Sequence, residues 1–111
     1  LYSFLQQGSN DMRIIAKSRL RKYWETLGNE QSQTYLNEWY HFCEAQKWAS
    51  PQELKNTLGN ASIVANNRVV FNVKGNDYRV VCGMDYPRQA MFIKFVGTHK
   101  AYDQVNVEEV E

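Results

Sequence analysis

Two hydrophobic periods divide the chain, a helical one before Asn60 and an alternating one after it. Met12–Ala16 is a short apolar stretch that fits a first strand. Lys17–Leu27 follows with Leu20, Tyr23, Trp24 and Leu27 at helical spacing, closed by Gly28-Asn29. That spacing predicts a helix whose exposed side holds Lys17, Arg19, Arg21 and Lys22. Leu36, Trp39, Tyr40 and Cys43 mark a second, longer helix from Gln31 to Trp48. Ser50-Pro51-Gln52-Glu53 reads as a capping box with proline at the first helical position, so a third, short helix should run to about Leu58. Trp24, Trp39 and Trp48 fit core positions better than an exposed stacking platform.

Beyond Asn60, Val69, Phe71 and Val73 alternate with Arg68, Val70, Asn72 and Lys74. Gly75-Asn76 makes a two-residue turn, and Tyr78, Val80 and Cys82 alternate in the return strand. A further turn around Tyr86-Pro87-Arg88 leads into a strand from Ala90 to Val96. Closing the first hairpin on Gly75-Asn76 pairs Lys74 with Asp77, Asn72 with Arg79 and Val70 with Val81. Opposed residues share a face because side chains alternate with period two. Val69, Phe71, Val73, Tyr78, Val80 and Cys82 then pack on the helices, while Arg68, Asn72, Lys74, Asp77 and Arg79 line the other side. If the next hairpin closes symmetrically around Pro87, Lys94 joins that second face, a step that a one-residue bulge would undo. The expected fold is α+β, with an N-terminal strand and helices on one face of a mainly antiparallel sheet. Its open face should be polar and cationic.

At 111 residues the chain has room for one domain, and 43% hydrophobic with 14% aromatic residues is enough to fold alone. No apolar run approaches the roughly 20 residues of a membrane helix, and no signal-peptide order is visible, so a cytoplasmic protein is expected. Residues 1–11 look unlike the rest; Gln7-Gly8-Ser9 resembles a cleavage scar, and Met12 is the expected natural start of a single domain over 12–111. Cys43 and Cys82 sit in strongly patterned segments and read as buried thiols rather than a disulfide.

Net charge is +1, but the average hides an asymmetry. All 13 Lys and Arg lie between Met12 and Lys100, against 7 Asp and Glu there; Asp103, Glu108, Glu109 and Glu111 form an acidic end with no base. A basic body with an acidic tail suits an anionic partner such as RNA, though a plain solvated surface would look the same. Cations converging on one sheet face can bind phosphate. Immediately after the last strand, Gly97 lets the backbone turn and His99 should stand at the rim of the cationic face. A histidine beside clustered cations can act as general acid or base near neutral pH. On the residues alone, a nuclease, a non-catalytic RNA- or protein-binding module and a structural subunit that docks an acidic protein all remain open. His41, between Tyr40 and Phe42 on the long helix, reads as structural or exposed. No cluster of Asp, Glu, His or Cys has metal-ligand spacing, so neither a metal nor another cofactor is expected.

Two blocks together resemble the HigB toxin family within the RelE superfamily. One is Asn67-Arg68-Val69-Val70-Phe71-Asn72-Val73-Lys74-Gly75-Asn76-Asp77-Tyr78-Arg79-Val80-Val81; the other runs from Phe92 through Gly97-Thr98-His99-Lys100-Ala101-Tyr102-Asp103. The likeness extends through Trp24, Trp39-Tyr40 and Trp48, from Met12 to about Glu109. It implies a RelE-like fold, ribosome-dependent cleavage of messenger RNA in the decoding site, and neutralisation by a HigA-type antitoxin. The implied reaction is metal-independent: the ribose 2'-hydroxyl attacks the adjacent phosphate, leaving a 2',3'-cyclic phosphate and a 5'-hydroxyl. In that scheme His99 is the candidate general acid or base, with Arg79 and Lys74 on the scissile phosphate. Tyr102 would stack on a base or share in proton transfer. Arg68 and Lys94 would hold backbone phosphates, and Lys17 and Arg21 would contact ribosomal RNA. Asp103 matches the family pattern without an assigned task.

Overall fold

The computed structural model describes residues 11–111. The leader expected over residues 1–11, with its cleavage scar, lies outside the described residues except for Asp11. Strand β1 (Arg13–Ile15) leads into helices α1 (Lys17–Thr26), α2 (Glu30–Glu44) and α3 (Pro51–Thr57). Strands β2 (Ser62–Val64), β3 (Arg68–Val73), β4 (Tyr78–Asp85) and β5 (Ala90–Thr98) follow, and a one-turn helix α4 (His99–Tyr102) closes the order. The sheet order is β1-β5-β4-β3-β2. β1 pairs parallel with β5 and the other neighbours are antiparallel, so the sheet is mainly antiparallel and the fold α+β.

Helix boundaries follow local chemistry. The Asn29 side chain accepts from the Ser32 N–H at 3.0 Å and the Ser32 hydroxyl accepts from the Asn29 N–H at 2.7 Å, a reciprocal cap that starts α2. At α3 only half of the expected box forms. Ser50 accepts from Glu53, but the Glu53 carboxylate takes the N–H of Ala49 rather than that of Ser50. α2 stops at Glu44, short of the predicted Trp48. Trp48 instead sits in the following loop, where the Gln89 side-chain amide accepts from its N–H and donates to its carbonyl. Leu27, expected on the packed side of α1, is 81% exposed because α1 ends one residue earlier and the chain turns there. β2 went unpredicted; it is a three-residue strand joined to β3 through Asn66 and Asn67, both with left-handed backbone (φ 62° and 56°).

The core lies between the helices and one sheet face, where Leu20, Leu36, Leu54, Val69, Phe71, Val80 and Met91 are all buried. Each fully buried side chain of this size contributes about 1.5–3 kcal/mol relative to exposure. Trp39 packs edge-on to Phe71 at 5.2 Å and Trp48 stacks near the same ring at 6.4 Å, so two of the three tryptophans are core, with Trp24 half-buried at its margin. The hairpin register is the predicted one, Asn72 opposite Arg79 and Val70 opposite Val81, with Asp77 N–H closing the turn on the Lys74 carbonyl at 3.1 Å.

Candidate functional site

The side of the sheet that faces away from the helices holds three cross-strand rows. At one end Asn72, Arg79 and Gly97 align; in the middle Val70, Val81 and Phe95; at the other end Arg68, Gly83, Phe92 and Ile15. Val70 and Val81 are buried although no helix covers them from this side. The C-terminal segment does so. Arg68 donates to the carbonyls of Val107 (3.1 Å) and Val110, Asn66 to Glu108 (3.2 Å) and Arg19 to Glu111 (2.8 Å). Half-buried Val105, Val107 and Val110 accompany these anchors. The face predicted to be open is therefore strapped, because its central row is apolar and is buried by the tail.

Arg79 has the best-defined surroundings of the candidate side chains. Its guanidinium lies 5.0 Å from the Tyr102 ring centroid, and one terminal nitrogen donates weakly to Asn76 at 3.4 Å. Its Nε is buried with no hydrogen-bond partner. A buried, unpaired guanidinium donor is costly and is relieved by an anionic acceptor. Tyr102 is held by Phe95 at 6.4 Å, and Phe95 in turn requires Gly97, where a Cβ would lie 2.8 Å from the Phe95 ring. Thr98 caps the short α4 by accepting from the Ala101 N–H at 3.2 Å.

His99 begins α4, and its N–H donates to the Asp77 carbonyl at 3.2 Å, which extends the ladder by one pair beyond Tyr78 and Thr98. That places His99 one residue past the paired end of β5, opening the short helix that carries Tyr102. The His99 Nδ1 also lies 3.5 Å from an Asp103 carboxylate oxygen, both side chains about half exposed. Arg79 and Tyr102 are thus brought into contact, and His99 opens the same short helix as Tyr102. Lys74 is set differently. Its backbone is left-handed (φ 53°), which takes it out of the strand pleat; its ammonium meets Asp77 at 2.9 Å and lies 5.6 Å from the Tyr35 ring on α2. The hydrogen bond to Asp77 raises the Lys74 pKa above its ordinary value.

The remaining candidates are more dispersed. Lys94 does reach the second face, but by another route than a closure symmetric about Pro87. Asp85 pairs with Ala90, and a bulge inserts Lys94 between Ile93 (opposite Cys82) and Phe95 (opposite Val81). The bulge delivers Lys94 beside Gly83 rather than removing it. Arg68, read as a phosphate contact, holds the tail. Lys17 lies 5.0 Å from the Tyr40 ring, and Arg21 is exposed on α1, remote from the Arg79 cluster in sequence and in element. His41 pairs with Glu44 at 3.2 Å on the α2 surface. Asp103, Asn76 and Asp77 had no assigned task in the sequence; their turn and post-strand positions were the only signal.

Among the described residues no group of three or more His, Cys, Asp or Glu could hold a metal, and no helix is long and apolar enough to cross a membrane. No curated protein matches the chain. A family model described as HigB toxin, RelE-like toxic component of a toxin-antitoxin system, matches residues 32–105, a span that takes in most of α2, all of α3, strands β2–β5 and Arg79, His99 and Tyr102. The chain belongs to the HigB toxin family, as the toxic component of a toxin-antitoxin system with an antitoxin for its partner.

Proposed function

We propose that this toxin is an endoribonuclease that cuts messenger RNA on the ribosome in the cytoplasm, held in check by a HigA-type antitoxin. The observation that supports this most directly is Arg79 held over the Tyr102 ring, with a solvent-accessible histidine opening the same short helix as Tyr102. In-line cleavage needs three services from the protein: proton removal from the 2'-hydroxyl, charge offset on the pentacoordinate phosphate, and proton delivery to the leaving 5'-oxygen. The 2'-oxygen forms its bond to phosphorus as the bond to the 5'-oxygen breaks, so the products are a cyclic phosphate and a 5'-hydroxyl. Arg79 binds the non-bridging oxygens through its terminal nitrogens. His99 handles a proton at one of the two reacting oxygens. Tyr102 fixes the guanidinium plane and offers its hydroxyl or its ring to the nucleotide. Lys74, in an exposed ion pair with Asp77, exchanges that carboxylate for phosphate when RNA binds. Lys94 and Arg68 lie further along the backbone path, while Lys17 and Arg21 on α1 meet ribosomal RNA. No metal or other cofactor takes part in this scheme.

Induced expression tests the site. His99→Gln should slow message cleavage roughly 10²- to 10⁴-fold, as expected for loss of a positioned acid or base. Arg79→Ala should slow it by about 10²- to 10³-fold. Both variants should lose growth arrest while keeping antitoxin binding and the circular-dichroism spectrum. Undiminished toxicity in both would overturn the assignment, and absence of cleavage products from wild-type protein with translating ribosomes would overturn the nuclease reading.

A further inference from the structure

The row Arg68–Gly83–Phe92–Ile15 crosses four strands on the same face as Arg79, but at the other end of β4. From Arg79 to Gly83 the strand advances four residues, roughly 13 Å at the usual rise. Gly83 leaves the middle of this row without a side chain and makes it a trough; a Cβ there would lie 3.3 Å from the Lys94 Cε and 4.0 Å from the Arg68 Nε. Phe92, on a strand flanked on both sides, nevertheless stays 36% exposed. The Lys94 ammonium lies 5.9 Å from its ring centroid. Asn67 and Tyr86 border the same trough, and the Asn67 side chain is exposed at its rim. The Asn67 backbone is fixed by its left-handed turn and by its carbonyl, which accepts from the Met84 N–H at 2.7 Å.

An accessible aromatic ring, a cation above it and an amide at the rim are complementary to one unpaired nucleotide. The ring offers a stacking platform, the ammonium meets phosphate, and the amide can both donate to and accept from a base edge. We propose that this trough is a base subsite for a nucleotide flanking the cleaved bond: Phe92 stacks on the base, Lys94 holds its phosphate and Asn67 reads its edge. The subsite sets sequence preference, whereas the Arg79 cluster sets cleavage. It rests on the RNA-cleaving reading above, and its tests separate the two.

The first measurement is binding of a short single-stranded RNA carrying a 2'-deoxy sugar at the cut position, so that affinity is read without turnover. Phe92→Ala should weaken binding roughly 5- to 100-fold, the range for loss of one stacked base. Phe92→Leu, which keeps an apolar side chain at this position, should not restore it. The second measurement maps cleavage sites on messenger RNA. Phe92→Ala and Asn67→Ala should flatten nucleotide preference at one flanking position while the His99-dependent cut persists. Wild-type affinity and preference in Phe92→Ala would overturn the subsite and leave the nuclease reading standing, as would full rescue by leucine. A change confined to oligomeric state on size-exclusion chromatography would also overturn it, assigning Ile15 and Phe92 to contact with a second copy. Phe92-dependent binding without any cleavage by wild type would keep the subsite and remove the nuclease reading.

Discussion

Cys43 of α2 and Cys82 of β4 are both wholly buried in the layer between helices and sheet, and both are free thiols. Burial pushes each thiol well above its ordinary pKa, and for Cys43 the neighbouring Cys82 adds to the shift. An acid whose pKa is raised by folding favours the native state while the unfolded chain stays protonated. The contribution is whole below the ordinary thiol pKa of about 8.5 and is lost as pH rises beyond it. Unfolding free energy should therefore fall by about 1.4 kcal/mol per pH unit for each thiol above pH 9. Urea melts at pH 8, 9 and 10 check this, and Cys43→Ala should remove one proton from the slope. An unchanged slope in that variant would show that the thiol is not held neutral. Helical spacing around Cys43 and strand alternation around Cys82 place both inside, so this part of the core is legible in the sequence.

At the level of elements, legibility depended on how local each determinant is. The β3–β4 hairpin has its register in its own turn, Lys74 to Asp77, and the pairing of Asn72 with Arg79 can be read from residues three to seven apart. α2 begins with an equally local signal, the reciprocal Asn29–Ser32 cap, where serine stands in for the more usual glutamate or glutamine. Asn29→Ala should lower stability by about 1 kcal/mol by leaving the Ser32 N–H without its acceptor. Denaturant titration measures it, and Asn29→Asp, whose carboxylate still accepts from the Ser32 N–H, should recover most of the loss; equal destabilisation by both would assign Asn29 another role. Other features depend on distant partners. Trp48 escapes α2 because Gln89, 41 residues later, takes its backbone groups. Lys74 turns toward α2 because of a left-handed φ, which no alternation rule for strands anticipates. The Lys94 bulge and the parallel β1–β5 pair are likewise settled between strands. For the candidate site, the identities Arg79, His99 and Tyr102 were legible from their place around the last two strands. The stacking of Arg79 on Tyr102 was not, since it needs α4 to fold back over Gly97.

For the whole molecule the decisive feature is the tail that crosses the sheet. Its acidic composition reads as a charge complement to the basic body, yet the bonds that hold it are of another kind. Arg68, Asn66 and Arg19 all donate to backbone carbonyls, while Glu108 and Glu109 remain exposed. Raising salt screens carboxylate attraction but acts weakly on hydrogen bonds to carbonyls over an apolar row. The tail should therefore stay docked in 0.5 M-scale salt, while Arg68→Ala should release it and uncover Val70 and Val81. Hydrogen bonds to charged groups contribute about 1.5–3 kcal/mol each, so a stability loss of that order is expected. Arg68→Lys should restore part of the docking, because both carbonyls are reached by one terminal nitrogen, Nη1, and an ammonium also carries several N–H donors. Amide hydrogen exchange over residues 104–111 reads the outcome directly: protection that survives salt and disappears in Arg68→Ala fits a carbonyl-anchored strap. Protection that fades with salt in the wild-type protein would mean that charge, not the Arg68 hydrogen bonds and the apolar row beside them, keeps the tail on the sheet.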